Sequence, residues 1–433
     1  MSALPATPVF LSVPVAELPA DFKQRALQWG AAFPHCAYFK PNGLDYPHGP
    51  FAHLLAVAPA DCASLGSLQE LGKLELSALN AAPRCGFVTY DVKNDIEALS
   101  SQNFAGFGWP QLHFFTPTTW LYWRDEVVEL HGETEGVLAQ IMAQPVGPSL
   151  RTVVPVVRPR LPKEDYLRAV TAVRENILNG EVYELNLCQE FYAEAIDLDP
   201  TNVFWQLMEA SPAPFAGFLR WHDHFLLCAS PERFLSRQGT RIVSQPIKGT
   251  IRRGATPAED EQQREALRHD EKERAENLMI VDLVRNDLAR VAETGTVRVP
   301  ELFGLYPFRH LWQMISTVTA DLRSDVRLEE ILRATFPMGS MTGAPKIRAM
   351  QLIEQYENSQ RGLYSGSMGY IGPNGEFDLN VVIRSLQYRR DTGYLSFQVG
   401  SAITFDSDPE REYDECLLKA KALLQVLGAM ISE

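Results

Sequence analysis

Lys248 lies inside VSQPIKGTIRRGATP (243–257), between Ile247 and a Gly249–Thr250 pair. A flexible cation in so tight a corner can clamp a phosphate, sit solvated on a loop, or attack as an amine. The last role needs the unprotonated form, which desolvation or neighbouring cations favour. Glu232, in the turn SPERF (230–234), reads as a surface charge or as a general acid. Two further acidic pairs share one spacing: Glu273 with Glu276, and Glu412 with Glu415, the latter followed by Lys419 one turn on. Residues three or four apart share a helix face. Two glutamates on one helix facing two on another would make an oxygen cage suited to Mg²⁺. A single ExxE is more often a solvated charged face. His310, in PFRHLWQMIS, sits among apolar residues and reads as a core histidine or a catalyst. Arg384 interrupts a buried-looking strand, where an arginine must find a structural or ligand anion.

These residues need elements to hold them. Leu167, Val170, Val173 and Ile177 recur at helical spacing until Gly180, which predicts an amphipathic helix with a glycine stop. The charged stretch 258–293 predicts one long helix, and a final helix is expected from Pro409 to the C-terminus. Strands are expected at 85–92, 111–117, 119–132, 367–372, 381–388 and 395–399, with a hairpin over 215–230. The turn FPMGSMTGAPKIRAM (336–350) leads into a helix and could hold an anion on its N–H groups or act as an ordinary cap. It lacks the GxxxxGK[ST] spacing of a phosphate loop. Strands followed by helices, rather than strict alternation, point to an α+β fold. The proline-rich segment 153–165 is expected to divide an N-terminal part, 1–150, from a catalytic part, 155–433.

The chain has 433 residues, a net charge of −14, 45% hydrophobic and 22% charged residues. That describes a globular protein and argues against nucleic-acid or anionic-membrane partners, which need basic surface. Six scattered cysteines form no metal-ligand spacing and suggest no disulfide framework, so a reducing cytoplasm is expected. The first residues have no basic region and are broken by prolines, so no signal peptide is expected.

Seven motifs then occur in order: SPERF, PIKGTIRRG, DEKERAENLMIVDLVRNDL, GSMTGAPK, YSGSMGY, VVIRS and DSDPEREYDE. Together they resemble the chorismate-utilising enzymes, which include the first components of anthranilate and aminodeoxychorismate synthases and the isochorismate and salicylate synthases. The resemblance is strong over 160–433 and looser over 1–150. It implies a large two-sheet β-sandwich surrounded by helices, with chorismate held by Mg²⁺ between the sheets. It implies that Glu276 and Glu415 ligate the metal, with Glu273 and Glu412 beside them. Arg384, Tyr364, Lys419, Gly400 and Ser401 would form the pocket for the substrate's carboxylates. Gly249, Thr250 and the turn Thr342–Lys346 would line the same site, and His310 matches the family's active-site histidine.

Within the family, anthranilate synthases resemble PIAGT at the 248 position, and one large group of aminodeoxychorismate synthases resembles PIKGT. The resemblance therefore implies attack by Lys248 on C2 of chorismate, with Glu232 as the acid near C4. Ammonia would then enter at C4, supplied by a separate glutamine amidotransferase subunit, since no GxCxG nucleophile turn is present. The product would feed 4-aminobenzoate and folate synthesis. Anthranilate synthase is the nearest rival, and a catalytically silent tryptophan-binding homologue is the non-enzyme alternative. Isochorismate and salicylate synthases carry a water-activating lysine where this chain has Glu184. Ser401 and Ala402, in GSAIT, also depart from the family pattern GAGIV. The segment SPAPFAGFL (211–219) resembles the lining of the family's tryptophan pocket, which tryptophan or the chain's own side chains would fill.

Overall fold

The computed structural model describes residues 11–44, 46–74, 82–147, 154 and 156–432. Two large antiparallel-rich sheets dominate, one of thirteen strands and one of ten. Residues from both sheets meet in a shared core: Phe39, Leu54 and Phe215 from the first, Phe87, Phe115, Met368 and Tyr370 from the second. Aromatic edge-to-face packing, such as Phe39 against Tyr370 at 5.2 Å, holds the faces together. Helices cover the outer faces, which gives the expected α+β sandwich.

Strands from either side of the division expected near residue 150 share both sheets. Strand His35–Lys40 pairs with Phe215–Trp221 in the first sheet. Strand Arg84–Val88 pairs with Ser367–Ile371 in the second. Long-range pairing thus weaves early and late residues into common sheets, and composition along the chain carries no signal of that. The proline-rich segment begins within 148–153, outside the described residues.

Local chemistry sets the key helices. The stretch expected as one helix is two, Pro257–His269 and Glu271–Ala289. Asp270 breaks them: its extended backbone ends the first, and its side chain accepts the Glu273 N–H at 2.9 Å to cap the second. The last helix, Pro409–Leu427, starts with an Asp408 cap and Pro409 in its first turn, and stops at Gly428 with φ +63°. The predicted helix near 163–180 is observed at Lys163–Leu178. The strand expected over 381–388 begins only at Ser385, because Arg384 adopts φ +53°.

The chain crosses between the sheets at two adjacent places. Residues 231–232 join strand His224–Ser230 of the first sheet to Arg233–Gln238 of the second. Residues 381–384 join Phe377–Asn380 of the second to Ser385–Arg389 of the first. The crossovers are tied together: Ser230 Oγ donates to the Val381 carbonyl at 2.6 Å, and the Val381 N–H donates to the Glu232 carbonyl at 3.0 Å. Glu232 and Arg384 owe their positions to these crossings.

Candidate active site between the two sheets

Lys248 stands on the strand Ile247–Arg252 at the end of the second sheet. Pairing with Leu311–Asp321 runs Ile247 opposite Ile315 and Thr250 opposite Gln313, so Lys248 and Gly249 share a bulge. A bulge re-aims its side chain out of the ladder. Gly249 has φ +99°, and a Cβ there would meet Met314 at 3.0 Å and Glu273 at 3.4 Å, so glycine serves both the turn and the close approach of the carboxylate helix. Asn277, from that helix, donates to the Lys248 carbonyl at 3.0 Å and accepts from Ser316 Oγ at 2.6 Å, which locks the bulge.

The lysine reaches across to the first sheet. Its Nζ donates to Glu184 Oε1 at 2.6 Å, with side-chain exposures of 12% and 1%. Glu184 opens the strand Glu184–Ala193, and its Oε2 is buried with no hydrogen-bond partner among the described residues. Burial alone would lower the Lys248 pKa, but Glu184, Glu276 and Glu232 outweigh it and hold the ammonium well above its usual range. The sequence reading had looked for desolvation or cations to free the amine. The structure surrounds it with anions instead, and the resting lysine is protonated.

Glu232 is buried, and Ser340 Oγ donates to its Oε1 at 2.7 Å. Burial pushes its carboxyl up to about 7, against the opposing pull of Ser340 and Lys248. A carboxyl in that range can donate a proton near neutral pH. Ser340 belongs to GSMTGAPK, where the sequence reading had weighed anion binding and not support of Glu232. Lys346 of the same motif turns away, donating to Asp287 at 2.6 Å and to the Thr335 carbonyl. Thr342 is buried, and its hydroxyl is spent on the Met338 carbonyl.

The glutamates divide unevenly. Glu276 is raised to about 7 by burial, with Lys248 pulling down and Glu184 and Glu273 pushing up. Glu273 is raised by burial and by Asp270 and Glu415. Glu412 is buried, and its Oε2 has no partner among the described residues. Burial also works against ionised Glu415, but Lys419 at 2.7 Å more than offsets it and holds that carboxyl below its usual range. Among the described residues, no three carboxylate, histidine or cysteine side chains already converge at ligating distance. An orphaned buried oxygen and mutually repelling carboxylates nevertheless fit a divalent cation, which would relieve both.

Arg384 is half-buried, and burial lowers its pKa. Among the described residues its guanidinium makes no hydrogen bond or ion pair, so it is free for an anion. Tyr364 is buried, and Cys188 Sγ lies 3.8 Å from its hydroxyl. Lys419 Nζ also donates to the Gly400 carbonyl at 2.7 Å. Gly400 has no room for a side chain, since a Cβ would meet Cys188 Sγ at 2.5 Å. Ser401 is buried and shares a hydrogen bond with Tyr166 at 3.1 Å, so its hydroxyl serves that contact. Thr250 is exposed.

His310 does not sit in the core that its apolar neighbours suggested. It is exposed in the hairpin turn before Leu311–Asp321, where its carbonyl accepts the Arg253 N–H. Gln313, three residues on, is a buried polar group on that strand, opposite Thr250, with Oε1 unpartnered among the described residues. Only its place in a run of otherwise apolar and small residues could have flagged it. In SPAPFAGFL, Phe215 is packed edge-on by Tyr46 and Phe51 at 4.8 and 5.2 Å.

The family model of the chorismate binding enzymes matches residues 38–425. The chain is similar to aminodeoxychorismate synthase component 1 of Escherichia coli, 42% identical over 265 residues, or 61% of this chain and 58% of that one. It is similar as well to anthranilate synthase component 1 of Aquifex aeolicus, 40% identical over 271 residues, 62% of this chain and 54% of that one. Its matched region spans less than two thirds of the leading curated relatives' length. Among solved structures, anthranilate synthase component I from Streptococcus pneumoniae TIGR4 superposes with a TM-score of 0.73 at 26% identity, covering 97% of this chain and 93% of that one. With the match running through both sheets and every crossover that carries a candidate residue, this chain belongs to the chorismate binding enzyme family.

Proposed function

We propose that the protein aminates chorismate at C4 to give 4-amino-4-deoxychorismate, with Lys248 as a covalent nucleophile and Glu232 as general acid. The observation that carries this reading is a buried lysine on a bulge, facing the crossover that holds a buried carboxyl raised to about 7. The curated relatives include both aminodeoxychorismate and anthranilate synthases at similar identity, so overall likeness does not choose between them. The amine at 248 supports the aminodeoxychorismate reading.

In this reading Lys248 attacks C2 as the C4 hydroxyl leaves with the Glu232 proton. Ammonia then adds at C4, the C2–N bond breaks, and Lys248 is regenerated. The enolpyruvyl ether is untouched throughout. Arg384, free of internal partners, would pair with a substrate carboxylate. Glu276 and Glu415, with Glu273 and Glu412, would hold Mg²⁺. When bound, Mg²⁺ supplies the positive charge against which the other substrate carboxylate is oriented. A relative named component 1 supports a separate partner as the source of ammonia, and a glutamine amidotransferase fits that chemistry.

Incubation with chorismate, Mg²⁺ and an ammonium salt tests the reading. The expected product, identified by mass and ultraviolet spectrum, is 4-amino-4-deoxychorismate. Anthranilate as sole product would favour the rival enzyme, and isochorismate would mean that water is the nucleophile.

A further inference from the structure

We propose that Glu184 is the catalytic base of the reaction, taking the proton that Lys248 must lose before its amine can attack. This role rests on the covalent lysine reading above. A protonated lysine has no lone pair, and every charged group facing it favours the protonated form: Glu184 from the first sheet, Glu276 and Glu273 from one helix, Glu415 from the other, and Glu232 from the crossover. Of these, Glu184 is the one in hydrogen-bond contact with Nζ, at 2.6 Å.

The simpler alternative is a structural ion pair that ties the two sheets. Two observations favour the base. A carboxylate kept for structure is ordinarily satisfied on both oxygens when buried, yet Glu184 Oε2 has no partner. The pair is also almost fully withdrawn from water. Moving the proton from Lys248 to Glu184 replaces two charges withdrawn from water with two neutral groups, a change that burial favours.

The proton count closes. Lys248 gives one proton to Glu184 and becomes a neutral amine. Its lone pair forms the N–C2 bond, the ring double bonds shift, and the C4–O bond breaks with the Glu232 proton leaving as water. The secondary ammonium keeps both of its protons while ammonia attacks C4 with its own lone pair. The ring shifts back, the C2–N bond breaks, and the departing amine recovers its proton from Glu184. The proton shed by the new C4 ammonium resets Glu232.

The test compares wild type, Glu184→Gln and Glu184→Asp on chorismate, with Mg²⁺ and a constant concentration of free ammonia at each pH. Thermal melting confirms folding. Glu184→Gln should lose ~10²-fold or more in kcat with little change in KM. Its optimum should move to higher pH, where Lys248 deprotonates unaided. Glu184→Asp should fall between the two and keep the wild-type pH profile. A merely structural pair would leave the profile in place. Equal kcat and pH profile in wild type and Glu184→Gln would overturn the role of Glu184 alone. Anthranilate or isochorismate from the wild type would overturn the underlying reading and this role with it.

Discussion

Two lysine–glutamate pairs flank this site, and they could hardly be less alike. Lys419 and Glu415 sit one turn apart on a single helix, with side chains 30% and 48% exposed. Lys248 and Glu184 are 64 residues apart, come from different sheets, and are 12% and 1% exposed. The first is a local surface pair worth little to stability. The second buries two charges, and the desolvation penalty of such a pair can exceed the Coulomb attraction. The fold tolerates it at the spot where the proposed mechanism needs a reactive amine. Short distance alone, 2.6 Å against 2.7 Å, does not separate the two; burial and the unpaired second oxygen of Glu184 do.

The sharpest way to break this contrast is Lys248→Ala. It should abolish aminodeoxychorismate formation, by more than ~10³-fold. It should also leave Glu184 buried without its cation and destabilise the protein by ~3 kcal/mol in urea unfolding. Glu232→Gln should cost ~10²-fold in kcat yet raise stability at pH 8 by ~1–3 kcal/mol, because a buried anion is removed.

Metal binding sharpens the comparison through pH. Glu232 and Glu276 hold their protons up to about 7 in the folded protein, where the unfolded chain gives them up near 4.5. Their contribution to stability is therefore full below about 4.5 and lost as pH rises through 7. At pH 8 Glu276 is a largely desolvated anion that Lys248 and Lys272 offset only in part, so Mg²⁺ should raise the melting temperature more at pH 8 than at pH 6. Glu276→Gln should shrink that difference. The smallest effect is expected for the exposed pair: Lys419→Met should change stability by less than ~1 kcal/mol while raising the KM for chorismate.

The same contrast marks what could be read from the sequence. Glu273 with Glu276, and Glu412 with Glu415, were legible because helical spacing is a local property. So was the start of the last helix at Pro409. The long charged segment was misjudged only where Asp270 both ends one helix and caps the next. Pairings between sheets were not legible, since no local rule brings residue 184 to residue 248 or joins strands near 35 and 85 to strands near 215 and 370. His310 shows the converse error: apolar neighbours suggested a core, but a hairpin turn puts it outside, while Gln313 on the following strand is buried. Motif likeness named the candidate residues. It did not foresee that Lys248 would rest against a carboxylate.

The most direct test of the central claim omits ammonia. Wild-type protein should be mixed with chorismate and Mg²⁺ alone, quenched, digested and examined by mass spectrometry. A covalent lysine requires an adduct of chorismate less one water, located on Lys248 and discharged when ammonium is added. An unmodified Lys248 in a preparation that turns over with ammonia would contradict the account.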